Sequence, residues 1–348
     1  MSNPDKPFKT FEELREILTT GHNLISCVND PNALEILKFI PYYDLVNGYK
    51  EAFMVNDKFK PNTTIDKLFL FHIFDRAFES ALFESSVYIE NYFKNILAYV
   101  IAKNYDVIET KYLDINNFRL PQLKKLGKSG AKSKRGKIIK GIQAELSDTT
   151  DNPTAFYRSH HNHVPPWILF KNITFSQSIG LFEILPKTPR DEAINILLPY
   201  KSPSSPQITS DQLFPILLYF LTLIRKGRNQ IAHNLKFISL DCSKYMNNLN
   251  KAALRQIIPQ TLLSDPELKS YTYLNGIYGY IMVSLILISI NVVKAYFINR
   301  VNSALSLQGV FDQKEFINTG NFIKNSYFQA ANIPADIQTR LLNYMKNL

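Results

Sequence analysis

The stretch that decides the fold runs from Thr64 to Ala102 and reads TIDKLFLFHIFDRAFESALFESSVYIENYFKNILAYVIA. Its apolar residues recur at steps of three, four and seven, which is the spacing of one face of an α-helix. These positions are Leu68, Phe71, Phe74, Phe78, Leu82, Ile89, Phe93, Ile96 and Val100. The pattern predicts one long helix, or two joined end to end, beginning near Asp66.

Helical spacing extends over much of the remaining chain. It occurs at 11–19, 32–39, 213–224, 313–331 and 335–348, and Thr209 or Ser210 is placed to cap the helix that follows it. No alternating apolar and polar run is long enough to predict a strand. The sequence therefore predicts an all-α protein, with a helical region over 1–60, a helical domain over 61–300 and a helical extension over 301–348.

The composition limits the classes of protein to consider. The 348 residues are 45% hydrophobic with only 12 Gly and 18 Pro, which excludes wholesale disorder and collagen-like chains. Cys27 and Cys242 are too few for a disulfide scaffold or a four-cysteine zinc site, and favour a reducing compartment. The first ten residues lack a basic segment followed by an apolar one, so we predict no secretory signal and expect a cytoplasmic protein.

The net charge of +10 is concentrated in one short stretch. Residues 124–140 contain eight basic and no acidic residues, whereas the rest of the chain has 32 basic against 30 acidic residues. Such a concentration favours a polyanionic partner, either nucleic acid or an anionic membrane. Because three glycines lie in or beside it, we expect residues 105–155 to form a polar insertion, partly mobile, between core helices. The predicted RNA-binding residues are Lys124, Lys125, Lys128, Lys132, Lys134, Arg135, Lys137 and Lys140.

Residues 270–293 carry no charge and are long enough to cross a bilayer of roughly 30 Å. The segment nevertheless contains Asn275, Gly276, Gly279 and Asn291, which interrupt its apolar character. A buried central helix of a soluble protein has the same pattern. We favour the buried helix and expect no stable membrane association.

Two further features have structural explanations. Trp167 is the only tryptophan and follows two prolines, so we expect it to anchor the core. The histidines at 160, 161 and 163 form a cluster, but no cysteine or acid pair lies nearby at a ligand spacing. We therefore predict no metal site, and the sequence contains no dinucleotide-binding or phosphate-loop motif that would indicate a cofactor.

Residues 224–234, IRKGRNQIAHN, form the segment of the sequence best suited to catalysis. Gly227 has the position of a residue that ends a helix, and Asn229 is a good N-cap for a following one. A break there would let Arg228 fold back towards His233, beside helix N-terminal amides that attract phosphate. On a continuous helix, by contrast, five residues turn by about 500° and leave the two side chains about 140° apart.

An arginine and a histidine are sufficient for RNA cleavage without a metal. The histidine can take the proton from a ribose 2′-hydroxyl or protonate the leaving 5′-oxygen, while the arginine holds the phosphate and stabilises transition-state charge. DNA lacks the attacking hydroxyl and would be spared. The predicted catalytic residues are Arg228, Asn229 and His233, although Arg-x4-His alone is a weak signal that also arises by chance.

Arg228-Asn229-x-x-Ala232-His233 in an all-α chain resembles the motif of HEPN ribonucleases. The chain also resembles the AbiD/AbiF group of the Abi family of bacterial abortive-infection proteins, over roughly residues 6–240. Lys94 and Asp44 depart from the family pattern, because arginine is expected at both positions. The matching pieces, in chain order, are Lys6-Pro7-Phe8, Phe11–Leu14, Phe39–Tyr49, Thr63–Leu68, Phe74-Asp75-Arg76, Ile89-Glu90, Pro165-Pro166-Trp167 and Phe175-Ser176.

The resemblance implies a HEPN-like fold for residues 61–300 and an RNA-targeting toxin that halts an infected or stressed cell. HEPN proteins generally build a composite site from two copies of the motif, so a homodimer is implied. Some members of the group are encoded beside a small structured RNA that restrains the toxin, and the basic stretch would suit such an RNA. Glu90 and Asp75 are candidates to orient Arg228 or Arg76 through ion pairs, with ordinary surface electrostatics as the alternative.

Two other functions remain open from the sequence. One is a non-catalytic RNA-binding protein that forms a ribonucleoprotein with a cognate small RNA, which would not depend on His233. The other is a membrane-perturbing toxin that uses residues 270–293.

Overall fold

The structure is a computed structural model, and it describes residues 6–24, 30, 32–121, 127–198, 208–246, 249–306 and 317–348. Within these ranges the only strands are β1 (Met54–Val55) and β2 (Lys58–Phe59), which pair antiparallel in a small hairpin. The predicted all-α fold class is therefore confirmed.

The helices are, in chain order, α1 (Phe11–Glu16), α2 (Asn32–Phe39), α3 (Lys50–Phe53), α4 (Ile65–Asn104), α5 (Glu109–Tyr112), α6 (Gly127–Asp148), α7 (Thr154–His160), α8 (Pro166–Asn172), α9 (Phe175–Glu183), α10 (Lys187–Leu197), α11 (Ser210–Ala232), α12 (Lys251–Ile257), α13 (Asp265–Ser270), α14 (Ile277–Leu287), α15 (Asn291–Ser306), α16 (Ile317–Ala330) and α17 (Ile337–Met345). Short π-helical turns lie at Ile17–Gly21 and Tyr43–Asn47, and 3₁₀ turns lie at Ile115–Asn117, Phe237–Ser239 and Ser243–Tyr245.

Helix α4 lies at the centre of the fold. Thr64 is its N-cap, with a hydroxyl that accepts a hydrogen bond from the Lys67 N–H at 3.2 Å. The helix then runs for 40 residues without interruption, so the single-helix alternative is correct. Helices α8, α9, α10, α11, α14, α15 and α16 all pack against it. Side chains from distant parts of the chain consequently meet along α4.

Helix α11 is continuous from Ser210 to Ala232, so the predicted break at Gly227 and the N-cap role of Asn229 are wrong. Gly227 is required for packing instead, because a Cβ there would lie 2.5 Å from Cε2 of Tyr280 on α14. The Tyr280 hydroxyl donates to the Leu82 carbonyl of α4 at 3.2 Å. The glycine thus lets α14 approach α11 closely. The predicted start of α11 is confirmed, since Thr209 is its N-cap.

Helix α14 accounts for the uncharged segment at 270–293. It spans only 11 residues, and the chain before it turns at Tyr271 in the left-handed conformation, with φ of 56°. Every side chain from Ile277 to Leu285 is buried. The predicted buried helix is confirmed, and among the described residues no helix is long and apolar enough to span a membrane.

The described part of the predicted polar insertion at 105–155 is largely helical. It contains helices α5 and α6, and α6 packs against α8 and α9. Ala131, Ile139 and Ile142 are buried on one face of α6, which gives the basic helix an anchoring surface that its composition conceals. Whether the insertion is mobile stays untested.

Trp167 does not anchor the core as expected, because it is 47% exposed. It lies in the first turn of α8 on the outward side, while Leu169 and Phe170 of the same helix are buried. Pro166 is the first residue of this helix, a position that suits proline.

The two predicted C-terminal helices are observed as α16 and α17, although the expected start at 313 lies outside the described residues. Tyr327 of α16 reaches the centre of the fold, where its hydroxyl donates to Asp75 Oδ1 of α4 at 2.7 Å. The proposed domain boundaries at 60/61 and 300/301 stay predictions.

Candidate active site

The predicted catalytic residues lie at the C-terminal end of α11. Asn234 adopts the left-handed conformation with φ of 53°, and its N–H donates to the Ile231 carbonyl at 3.1 Å. The Leu235 N–H donates to the Gln230 carbonyl at 2.8 Å. These two bonds form a Schellman motif, in which an asparagine takes the place usually held by glycine. His233 is the C-cap residue and is exposed.

This arrangement changes the expected geometry of the motif. Because α11 is continuous, Arg228 and His233 point in directions about 140° apart around its axis. The carbonyl end of a helix also attracts cations rather than phosphate, so the expected help from N-terminal amides is absent here. Within one chain, the two side chains therefore do not lie on one face of the helix.

Arg228 is half-buried and is held against α4. Its Nε lies 3.8 Å from Oε2 of Glu90, and its Nη1 donates to Asn229 Oδ1 at 3.2 Å. Glu90 also forms an ion pair with Lys94 at 2.7 Å. The expected pairing of Glu90 with Arg228 is confirmed, although at 3.8 Å it is an ion pair without a hydrogen bond.

Helix α4 presents a polar stripe towards the end of α11. His72, Arg76, Glu79, Glu90 and Lys94 lie within a narrow sector of α4, since each is separated from the next by a combination of three- and four-residue steps. Arg228 contacts this stripe at Glu90, while Gln230 and Asn234 line a cleft together with Asp75 and Arg76 of α4. The C-terminal end of α11 therefore lies nearer the N-terminus of α4, and the two helices run antiparallel. We call the line along which they meet the seam.

Two carboxyl groups are buried where the seam meets the 43–49 turn. Asp75 is 1% exposed and accepts hydrogen bonds from the hydroxyls of Tyr49, at 2.9 Å, and Tyr327, at 2.7 Å. Glu79 is also buried, and its Oε2 accepts from Arg76 Nη1 at 2.7 Å. The expected pairing partner of Asp75 was an arginine, but its direct partners are the two tyrosines.

Burial dominates the ionisation of this cluster. It raises the pKa of Asp75, against the effect of the two tyrosine hydroxyls. Burial, followed by the negative charge of Asp75, raises the pKa of Glu79 far above the usual glutamate range. Burial, followed by the positive charge of Arg76, lowers the pKa of His72 to about 4. At neutral pH we therefore expect a neutral His72 and a protonated Glu79.

A cleft of about 270 Å³ opens above the cluster. The turn at 43–49 forms one wall, Asp75 and Arg76 of α4 form the floor, and the end of α11 with the following loop forms the other wall. Its lining residues are Tyr43, Asp44, Asn47, Gly48, Tyr49, Asp75, Arg76, Gln230, Asn234, Leu235, Lys236 and Ser239. The cleft and the exposed His233 are thus built by the same end of α11.

Unsatisfied polar atoms concentrate along the seam. Among the described residues, seven buried side-chain nitrogen or oxygen atoms lack a hydrogen-bond partner, and four of them belong to Arg76 (Nε), Glu79 (Oε1), Arg228 (Nε) and Gln230 (Oε1). Buried polar groups in folded proteins are usually hydrogen-bonded, and exceptions frequently mark a site that binds water or a ligand. The seam is therefore a candidate binding surface as well as a packing interface.

The predicted RNA-binding residues fall into different environments. Lys132, Lys137 and Lys140 are exposed, over an arc of about 140° around α6. Lys134 instead pairs with Glu183 of α9 at 2.7 Å, and Arg135 donates to the Phe118 carbonyl at 2.8 Å. Lys124, Lys125 and the side chain of Lys128 lie outside the described residues.

The described ranges contain neither a cluster of metal ligands nor an activated cysteine nucleophile. His160 and His161 are exposed and His163 is half-buried, and no group of three or more potential metal ligands is present in those ranges. Cys242 is buried, and burial raises the pKa of its thiol to about 11, so it is not an activated nucleophile. Cys27 lies outside the described residues.

A model of the Abi-like protein family matches residues 35–239, which is more than half of the chain. The chain belongs to the Abi-like family. The matched part starts in α2 and ends at the 3₁₀ turn after α11, so it includes the seam, the cleft and the Arg228–His233 motif. Comparisons with curated proteins and with solved structures gave no significant match. Membership assigns this Abi-like chain to abortive infection, the defence of bacteria against phage.

Sequence reasoning missed the cleft and its buried carboxyl pair. The spacing of Asp75 and Glu79, one turn apart around Arg76, was a usable signal for an interacting group. The Tyr327 and Gln230 contributions had no such signal, because they come from segments far away in the chain. From sequence, the tyrosine block at 42–49 is only a family feature. In the structure it forms one wall of the cleft.

Proposed function

We propose that this Abi-like protein is an RNA-targeting toxin of phage abortive infection, acting as a metal-independent endoribonuclease. The observation that carries the proposal is the end of α11, where a half-buried Arg228 is held by Glu90 and His233 stands exposed at the helix terminus. Resemblance of the motif to that of HEPN ribonucleases supports the assignment, as does membership of the Abi-like family.

In the proposed reaction the ribose 2′-oxygen attacks the adjacent phosphorus and the bond to the 5′-oxygen breaks. One proton leaves the 2′-hydroxyl and another reaches the departing 5′-oxygen, so the products are a 2′,3′-cyclic phosphate and a 5′-hydroxyl. His233 carries out proton transfer, and Arg228 binds the phosphate and stabilises its developing charge. Asn229 holds Arg228 through the bond from Nη1, which leaves it a positioning role beside the phosphate.

A homodimer fits this chemistry better than a single chain. Arg228 and His233 of one chain point about 140° apart, so one copy does not present both groups from one helix face. Two copies of the exposed helix end would supply two histidines, one to accept and one to donate a proton. The resemblance to HEPN proteins, which generally combine two motifs, supports the same arrangement.

The exposed lysines of α6 are proposed to bind RNA, either the substrate or a small structured RNA that restrains the toxin. Lys132, Lys137 and Lys140 are exposed along the helix and make no ion pair within the described residues. The competing candidate is a non-catalytic RNA-binding defence protein in a ribonucleoprotein with a cognate small RNA. The same lysines would serve it, but the cleavage motif would not be needed.

Sequencing the RNA that copurifies with the protein from cells distinguishes the two candidates. For an endoribonuclease, we expect the wild-type chain to be toxic and His233→Ala to be harmless and to retain cellular RNAs with uncut target sites. For a ribonucleoprotein, one discrete RNA would copurify with both chains, and the substitution would leave toxicity unchanged. That second result would contradict the proposed enzyme.

A further inference from the structure

We infer that the cleft between the 43–49 turn, Arg76 and the end of α11 binds one unpaired nucleotide of the RNA, next to the phosphate at His233. The inference rests on the proposed function and adds to it a binding site for the base and its phosphate. It starts from the cleft itself, whose volume of about 270 Å³ is near the lower limit of small-ligand pockets, about 300 Å³.

The lining of the cleft combines the groups that a nucleotide needs. Tyr43 is 71% exposed at its rim, and an exposed aromatic ring offers a stacking surface to an unpaired base. Asn47, Gln230 and Asn234 supply amides that can bond to base edges or to a ribose hydroxyl. Arg76 supplies a guanidinium, the side chain best matched to a phosphate.

Two lining residues have bonding capacity that the protein leaves unused. Oε1 of Gln230 and Nε of Arg76 are buried and have no hydrogen-bond partner among the described residues. One is an acceptor and the other a donor, so a ligand with a donor on its base or sugar and an acceptor on its phosphate satisfies both. A nucleotide has this combination, whereas an apolar ligand would leave both atoms unpaired.

The charges beneath the cleft agree with this assignment. Arg76 pairs with Glu79, but burial and the neighbouring Asp75 raise the pKa of Glu79, so a protonated Glu79 does not neutralise the guanidinium. Asp75 is occupied by the hydroxyls of Tyr49 and Tyr327. Arg76 thus lies beside one buried carboxylate, Asp75, instead of two, which leaves its guanidinium able to bind a phosphate. Arg228 lies further along the same seam for the next phosphate.

Binding of fluorescein-labelled hexaribonucleotides tests the inference without requiring cleavage. The full chain carries His233→Ala throughout, and A6, C6, U6 and a guanosine-containing hexamer are titrated by fluorescence anisotropy. We expect Tyr43→Ala and Gln230→Ala each to weaken the tightest complex about tenfold, the size expected for one stacked or hydrogen-bonded base. Tyr296→Ala is the matched control, because Tyr296 is an exposed aromatic residue of α15 outside the cleft, and it should bind like the parent.

Nucleoside 5′-monophosphates separate an RNA site from a site for a free nucleotide. An RNA site should bind the best hexamer at least tenfold more tightly than the matching monophosphate, because Arg228 and the neighbouring phosphates add contacts. Equal affinity for the two would overturn the inference, and so would cleft variants that bind like the parent or a parent that binds no hexamer. A wild-type chain that binds RNA through the cleft and does not cut it would contradict the proposed enzyme while leaving the nucleotide site intact.

Discussion

Glu90 is the residue on which the position of Arg228 depends. Its carboxylate lies between Arg228 and Lys94, at 3.8 Å and 2.7 Å, and it is the anion that holds the arginine against α4. Glu90→Gln should lower the rate of RNA cleavage about tenfold, because a displaced guanidinium loses contact with the transition-state phosphate. Single-turnover cleavage at saturating protein measures this rate separately from binding.

Glu84→Gln is the matched control for that substitution. Glu84 lies on the same helix but pairs with Arg300 of α15 at 3.3 Å, away from α11. It should cleave RNA at the wild-type rate. Equal rates for the Glu90 variant and the wild type would show that Arg228 does not need this ion pair.

Glu79 gives the protein a distinctive dependence of stability on pH. Its folded-state pKa lies above the value of about 4.3 expected when unfolded, so the folded state binds the proton more tightly. The stabilisation from this proton is complete at low pH and is lost as pH rises towards the folded-state pKa. The melting temperature of Glu79→Gln, relative to that of the wild type, should therefore increase as the pH is raised from 7 to 9.

The chosen pH range keeps other groups out of the comparison. The effect of His72 on stability has the opposite dependence on pH. Because its pKa is lowered to about 4 in the folded state, stability is lost as the pH falls below its unfolded value of about 6.5, which is outside the range measured. Other ionisations occur in both chains and cancel in the difference between their melting temperatures. A difference that stays constant from pH 7 to pH 9 would mean that Glu79 is already ionised.

At the scale of elements, the contact between α11 and α14 depends on one glycine. Gly227→Ala would place a Cβ 2.5 Å from the Tyr280 ring, so the helices must separate or the ring must move. We expect a loss of about 1–3 kcal/mol in the free energy of unfolding, the usual cost of an overpacked core. Chemical denaturation measures it directly.

Gly136→Ala is the control, because Gly136 also lies within a helix, α6, but a Cβ there meets nothing within 4 Å. Alanine is favoured over glycine in a helix by about 1 kcal/mol, so this variant should be slightly more stable than the wild type. Equal effects at the two glycines would mean that helix propensity, and not the Tyr280 contact, explains Gly227.

The two long helices show which parts of the fold could be predicted from sequence. Helix α4 could be, because its apolar positions repeat locally at helical spacing and Thr64 is a recognisable cap. The course of α11 through Gly227 could not, because the reason for that glycine is Tyr280, more than fifty residues later. The actual end of α11 is at Asn234, which adopts the left-handed conformation. Asparagine is one of the residues that commonly end a helix in this way, but Gly227 is a stronger helix-ending residue and led the prediction.

At the scale of the whole molecule, the exposed side of α6 should control how RNA affinity depends on salt. Each lysine that neutralises a phosphate contributes to the slope of log affinity against log salt concentration. Replacing Lys132, Lys137 and Lys140 together with glutamine should make this slope shallower by roughly two to three. The control triple variant replaces Lys103, Lys171 and Lys187, which are exposed on other helices, and should keep the wild-type slope.

An unchanged slope in the first variant would mean that these three lysines of α6 do not bind phosphate. The eight basic residues at 124–140 could be recognised as a unit from sequence, but not the separate roles of its members. Lys134 and Arg135 point inwards to Glu183 and Phe118, and that division follows from how α6 packs on its neighbours. The cleft is harder still to predict, since three separate segments of the chain build it.

Cleavage of a labelled single-stranded RNA by the purified protein tests the central claim most directly. The reactions contain EDTA, and a DNA of the same sequence is run in parallel. We predict that the wild type cuts the RNA to a 2′,3′-cyclic phosphate and spares the DNA, and that His233→Ala lowers the rate by about 10²–10⁴-fold. His161→Ala, which removes another exposed histidine, should cut at the wild-type rate. A His233→Ala chain that cuts RNA as fast as the wild type would contradict the account.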